Sequence, residues 1–461
     1  MREVGLGFHD GLSGCRVAWL PGCQVGNKLQ TSIGNLATRQ PADQTSFYTS
    51  LVKRRLLILA AIAIACSPES SRLPAAVTAA RDPLLQHHDI RVEQLPKPFA
   101  TPSAGNPPHV SSQPANATLH LPPGFHISLF ADKLDDPRAM LLAPNGDVIV
   151  SEPGAGKITI LRDANHDGVA EQHSIFASGL DNPYGLAFHD RWLYVGNEGA
   201  VVRFPYSPGQ TKANAQPQQI APLPSGGHST RGVLFNRTGT KMYVSVGSSS
   251  NVSAGEGPER AAILELNPDG NGRRVFAGGL RNPVGMAWDP VTGALWTAVN
   301  ERDGLGDELV PDYATSVQPN AFYGWPYAYL GAHEDPRRAG EQPDLVKRTI
   351  PPSILIQAHA APLGILFYQG TMFPPPYRGR AFVALHGSWN RAKRTGYSVI
   401  SIPFKNGRPT GGYDDFVAGW MPDETSRSVW GRPVGLLVLA DGSLLISDDG
   451  GGKIWRVAYK K

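Results

Sequence analysis

The sequence predicts an all-β chain folded as a six-bladed β-propeller closed by pairing of its N- and C-terminal strands, and three observations carry that expectation. A phrase with a polar residue, a proline, a glycine and a short apolar run recurs as "GLDNPYGLAF" (179–188), "GLRNPVGMAW" (279–288), "HAAPLGILFY" (359–368) and "WGRPVGLLVL" (430–439). A turn signal and a second strand follow each phrase, as expected of a repeated hairpin unit. With 51 Gly, 41 Pro and only 18% charged residues, the chain favours many short strands joined by turns over long helices.

Taken in order, the units are "DDPRAMLLAPNGDVIVSE", "DNPYGLAFHDRWLYVGNE", "STRGVLFNRTGTKMYVSVGS", "RNPVGMAWDPVTGALWTAVNE", "AAPLGILFYQGTMFPPPYRGRAFVALHGS" and "GRPVGLLVLADGSLLISDD". Turns such as "PNGD", "RTGT", "PVTG" and "ADGS" separate the paired strands. One small sheet cannot bury both faces, so such units pack face to face around an axis and close a ring. Crowding at the axis explains the small residue that opens each inner strand: Ala139, Gly185, Gly232, Gly285, Gly364 and Gly435. The last unit lacks an outer strand before the chain stops, and "FHISLFAD" (125–132) is the expected replacement.

Ahead of the repeats, "VKRRLLILAAIAIACS" (52–67) has a basic start, about ten apolar residues and a small-residue end at Cys66. Such a segment reads as an export signal, with Cys66 as the lipidated residue of a membrane-anchored periplasmic lipoprotein. It is too short for an ordinary transmembrane helix. Residues 1–51 show no strand or helix periodicity and are expected to derive from an upstream start codon. Residues 67–117, rich in Pro, Ser and Ala, read as a disordered linker, and 118–461 as the propeller. The three cysteines, Cys15, Cys23 and Cys66, precede the repeats, so no disulfide supports the fold. A net charge of +4 without a Lys/Arg block argues against a nucleic-acid partner.

In a propeller, residues just before each inner strand and just after each second strand ring the same mouth of the axis. The first ring is Arg138, Asn182, His228 with Arg231, Arg281 with Asn282, His359 and Arg432. The second holds Glu152, Asn197, Glu198, Ser248, Asn300, Glu301, Arg302, Asp303, His386, Asn390, Asp448 and Asp449. Varying the side chain at an equivalent position is how a symmetric scaffold builds an asymmetric site.

The ordered set "GGHSTRG" (226–232), "GLRNPVG" (279–285), "VNERDGLGDELVPD" (299–312), "FYGWPYAY" (322–329), "HGSWNR" (386–391) and "GRPVGL" (431–436) resembles the quinoprotein glucose/sorbosone dehydrogenase family, in particular its pyrroloquinoline-quinone (PQQ) dependent sugar and pyranose dehydrogenases. The resemblance covers roughly residues 120–461. It implies PQQ and Ca²⁺ as cofactors, an aldose or related sugar aldehyde as substrate, and an external electron acceptor, a quinone or cytochrome c. It places His228 as the base, Arg281 over the quinone and Asn282 beside it, and Arg432 on a cofactor carboxylate. Arg138 and Arg231 are further candidates for the cofactor, although Arg138 stands where soluble glucose dehydrogenases have glutamine. His386, Asn390 or Arg391 would replace the lysine that other members supply. Backbone carbonyls near Arg302 and Asp303 would hold the catalytic Ca²⁺, with Asp303 also near the cofactor. Glu308 and the carbonyl of Tyr323 would hold a structural one. A flat tricarboxylate suits such a mouth, because guanidinium groups bind carboxylates in bidentate fashion.

Two readings stand beside this one. Glu152, Asn197, Asn300 and Asp448 could surround one metal in a calcium-dependent lactonase, or the rings could hold a glycan or peptide without catalysis. Separately, "DANHDGVAE" (163–171) has the spacing of an oxygen-ligand calcium loop through Asp163, Asn165 and Asp167, with Ser174 where a full loop ends in Glu.

Overall fold

In the computed structural model, residues 82–460 are described. The expected start-codon extension, the export signal, Cys66 and residues 67–81 lie outside them. Among the described residues, six blades of four antiparallel strands follow one another along the chain, and an added edge strand makes the sheets of blades three and five five-stranded, the one in blade three (321–322) pairing in parallel. The inner strands are 140–142, 186–189, 233–235, 282–288, 362–367 and 433–438. The sixth blade is completed by strand 125–131, which pairs antiparallel with strand 453–459 from Phe125↔Tyr459 to Ala131↔Ile454. The two ends of the repeat thus close the ring, with strand 125–131 as the outer strand of the last blade.

The repeated proline–glycine phrase has a clear physical role. In blades four, five and six the register of the inner strand shifts between Pro283 and Met286, Pro362 and Ile365, and Pro433 and Leu436. At each shift the glycine meets the next blade. A Cβ on Gly285 would strike the Leu363 carbonyl, one on Gly364 the Val434 carbonyl, and one on Gly435 the Arg138 carbonyl. Gly285→Ala is therefore expected to destabilise the protein by about 1–3 kcal/mol through overpacking, read as a lower urea midpoint. An unchanged midpoint would mean that the blades do not crowd there.

Interdigitated aliphatic and aromatic side chains fill the spaces between blades. Tyr184, Val284, Leu363 and Val434, from the starts of four inner strands, form one apolar cluster near the axis. They stand between a polar cavity on one face and a narrow glycine-lined channel beneath.

Residues 82–117 correct the expectation of a loose linker. His87 and His88 pair with Asp414 and Tyr413 at the edge of blade five, and His109–Val110 runs parallel to Ser428–Val429. Composition alone suggested disorder, but an extended Pro-rich chain keeps its backbone groups free to bond to a partner. Thr101 Oγ1 accepts from Asp307 N at 3.0 Å and Ser103 Oγ from Gly306 N at 3.1 Å. Asn106 is the densest point of this strap. Its Nδ2 donates to the Arg391 and Ala392 carbonyls at 3.1 Å each, and its Oδ1 accepts from Arg394 Nη2 at 2.6 Å. Asn106→Ala would leave the buried Arg394 guanidinium short of a partner. It is expected to cost about 1–3 kcal/mol in a denaturant titration; a loss below about 0.5 kcal/mol would show the strap to be passive.

Candidate active site

The polar cavity has a volume of about 370 Å³, within the usual range for small-molecule sites. Arg138, His228, Arg281, Asn282, Asp303, His386, Asn390 and Arg432 all line it, so residues distant in sequence share one chamber.

His228 precedes the third inner strand and is half-buried. Its Nδ1 lies 2.8 Å from the Ser248 carbonyl. A carbonyl only accepts, so Nδ1 carries the proton and Nε2 keeps a lone pair. Burial, reinforced by the Arg281 charge, lowers the pKa of His228 to about 4. The imidazole is therefore neutral, and able to take a proton, across the physiological range. In the cofactor-free protein, the His228 ring protons should titrate by NMR with a midpoint near 4; a midpoint near 6.5 would contradict this environment.

The three arginines are not equivalent. Arg138 Nη2 lies 2.7 Å from Asp449 and its Nε 3.3 Å from Asp136. Burial alone would lower its pKa, but these carboxylates raise it. Arg281 is buried and makes four long contacts: the Asn251 carbonyl at 3.3 Å, the Asn300 carbonyl at 3.4 Å, and Asn251 Oδ1 and Asp303 Oδ2 at 3.2 Å each. The Arg432 guanidinium donates only to the His386 and Gly387 carbonyls, at 3.2 and 3.4 Å. Among the described residues no carboxylate oxygen lies within 4 Å of that guanidinium, and burial lowers its pKa in spite of the more distant Asp449. A half-buried guanidinium without a direct carboxylate contact is under-neutralised, so the Arg432 side of the cavity favours an anion.

On the facing walls, His386 Nε2 donates to Asp449 at 2.8–2.9 Å. Burial, helped by Arg432, keeps its pKa low in spite of Asp449. Asn390 Nδ2 donates to Asp303 Oδ1 at 2.6 Å. Burial opposes ionisation of Asp303, yet His359, Arg281 and Asn390 together hold its pKa below the ordinary value. Asn282 Oδ1 is buried without a hydrogen-bond partner. An unmet acceptor, an under-neutralised guanidinium and a free imidazole lone pair fit a flat polycarboxylate such as PQQ.

Other candidates lie elsewhere. Arg231 is fully buried, donating to the Pro224, His228 and Thr230 carbonyls between blades, and burial lowers its pKa to about 10. Standing next to Gly232, its side chain turns into the blade contact. Arg391 donates to the Asp307 carbonyl at 2.6 Å and pairs with Glu308 beneath the strap, away from the cavity. Arg302 is buried against Glu301 at 2.8 Å and Asp335 at 3.1 Å. Of the calcium ligands drawn from the resemblance, the Asp303 carbonyl and the Glu308 carboxylate are already engaged. The Asp303 carbonyl already accepts from Asn251 Nδ2 at 2.9 Å and Arg337 Nη1 at 2.7 Å. Both Glu308 oxygens are engaged, by Arg391 and by Gln357. In the 163–171 loop, Asp163 and Asp167 come together with Glu171, their ligand atoms within 4.8 Å of one another. Asn165 Oδ1 instead accepts from Asp167 N at 2.9 Å.

Nothing in the pattern of residues pointed to Asp312, because it opens a third strand and not a mouth position. Its oxygens accept from Glu301 N at 2.7 Å and Ala361 N at 2.8 Å, tying two cavity segments together. Burial pushes its pKa up to about 7. His359 and Asp449 both occupied ring positions; His359 lines the cavity, and Asp449 holds Arg138 and His386, which line it. Trp389 was hidden inside "HGSWNR".

A family model described as TrAA12-like matches residues 119–318 and 338–460. An uncharacterized protein of Borreliella burgdorferi is 28% identical, over 76% of this chain and 94% of that protein. The PQQ-dependent pyranose dehydrogenase of Coprinopsis cinerea is 25% identical over 72% of this chain, which spans about half (53%) of that relative. Among solved structures, the calcium structure of the Trichoderma reesei family AA12 enzyme superposes with a TM-score of 0.67 at 21% identity. It covers 76% of this chain and 98% of that one. The holo PQQ domain of the C. cinerea pyranose dehydrogenase gives 0.63 at 22%, covering 76% and 100%. Sharing their fold, and matched by the family model over most of its propeller, the chain belongs to the TrAA12-like family.

Proposed function

We propose that the protein is a PQQ-dependent dehydrogenase that oxidises an aldose or a related sugar aldehyde and passes the electrons to an external acceptor, a quinone or cytochrome c. The observation that carries this reading is Arg432, a half-buried guanidinium with no carboxylate oxygen within 4 Å, in a chamber that also holds a neutral imidazole. When bound, PQQ supplies the two-electron acceptor for the hydride leaving the sugar carbon. His228 Nε2 takes the proton of the sugar hydroxyl, and the Ser248 carbonyl steadies the imidazolium through Nδ1. Arg432 and Arg138 hold carboxylates, Arg281 stabilises negative charge, and Asn282 Oδ1 accepts a hydrogen bond. We derive no step through Ca²⁺.

The lactonase alternative needs Glu152, Asn197, Asn300 and Asp448 around one ion. Only Asn300 lines the cavity. Glu152 accepts from Asp135 N and Thr159, and Asp448 from Arg432 N, Gly451 N and Trp455 Nε1.

Purified protein supplied with PQQ and Ca²⁺ should reduce a redox dye with aldoses and not without PQQ. Metal-dependent lactone hydrolysis without PQQ would favour the rival, and sugar binding without either activity a non-catalytic propeller. We further infer export and lipidation at Cys66; Cys66→Ala should move the protein from the membrane to the soluble fraction.

A further inference from the structure

Residues 381–388 and Asn390 are buried, whereas Trp389, set among them, is 51% exposed. A tryptophan displayed by an otherwise buried run is an unusual use of a large apolar side chain. Of the large apolar side chains that stand exposed among the described residues, Trp389 alone lines the polar cavity.

The backbone around it is fixed on both sides. Ser388 accepts through its carbonyl from the Tyr397 hydroxyl at 2.6 Å and through Oγ from Thr395 N at 3.1 Å. The Trp389 carbonyl accepts from Asn106 N of the strap at 2.8 Å. Asn390 is tied to Asp303 at 2.6 Å and lies 3.3 Å from His359 Nδ1. The ring itself is not engaged. Among the described residues it stacks on no other aromatic ring, carries no cation over its face, and its Nε1 makes no hydrogen bond.

We propose that Trp389 is a specificity-determining residue that binds the sugar, laying its indole face against the C–H face of a pyranose ring and offering Nε1–H to a hydroxyl. A pyranose presents an apolar patch of ring hydrogens bordered by hydroxyls, and indole presents an apolar plane with one polar donor at its edge. Because the loop is held before the sugar arrives, little ordering cost falls on binding. The class selected is a cyclic sugar with an uninterrupted C–H face, in preference to short open-chain aldehydes. Asn106 acts through the loop as a positioning residue.

This inference rests on the proposed oxidation, and the test separates the two. The PQQ-loaded full-length protein and its Trp389→Ala and Trp389→Phe variants are compared with glucose and with glyceraldehyde, and PQQ affinity is measured by calorimetry. The expected result is a tenfold or larger rise in the glucose-to-glyceraldehyde KM ratio in Trp389→Ala. Trp389→Phe should restore the ratio to within about threefold, and PQQ affinity should hold. An unchanged ratio, or an equal rise for both substrates, overturns the inference and leaves the oxidation standing. A tenfold weaker PQQ affinity also overturns it, by assigning Trp389 to the cofactor. A wild-type protein that oxidises no aldose with PQQ removes the reading of function, and this inference with it.

Discussion

His228→Ala is expected to lower kcat by about 10²–10⁴-fold, the range for loss of a positioned general base, while PQQ still binds within about threefold of wild type. The separation follows from the geometry. His228 Nδ1 is committed to the Ser248 carbonyl, so only Nε2 is left for chemistry, and a neutral imidazole adds nothing to the grip on carboxylates. His228→Gln should be nearly as slow, because an amide offers no basic lone pair in this pH range. If turnover persisted at more than a tenth of wild type, the proton would be leaving by another group. Loss of turnover and cofactor affinity together would make His228 a binding residue instead.

Arg432→Ala is expected to weaken PQQ binding by about 10–150-fold, the equivalent of losing one charge-assisted contact of about 1.5–3 kcal/mol. Stability of the cofactor-free protein should hold or rise. In the absence of ligand, the Arg432 guanidinium is half-buried with two long carbonyl contacts and no direct carboxylate contact, so its removal relieves a partly desolvated charge. Arg138→Ala should behave differently, because it leaves Asp449 and Asp136 without their cation; the thermal midpoint should fall. Equal destabilisation by both substitutions would show that Arg432 is a packing residue. A PQQ affinity within threefold of wild type would remove it from the cofactor site.

The propeller was legible because its signals are local: an apolar inner strand, a turn, a second strand, and a glycine where the next blade approaches. Strand direction then decides which residues ring the mouth, and on that ground Arg138, His228, Arg281, Asn282, His386 and Arg432 were expected together, as they lie. Orientation within a motif was less legible. Arg231 sits three residues beyond His228 yet turns between blades, and Arg391 follows Asn390 yet faces the strap. Alternation decides such cases, and irregular loops do not announce their register. The strap was missed because composition averages over a segment, whereas its docking depends on single side chains such as Asn106. Asp312 and Trp389 became visible as cavity residues only once blade four and the 386–394 loop had placed them there.

One chamber, lined by guanidinium groups from three blades, is the proposed PQQ site. A crystal structure of the protein soaked with PQQ and Ca²⁺ should show tricyclic density in the cavity, in contact with Arg432, Arg281 and Asn282 and within reach of His228 Nε2. PQQ at another surface, or an empty cavity at a concentration that supports dye reduction, would contradict it.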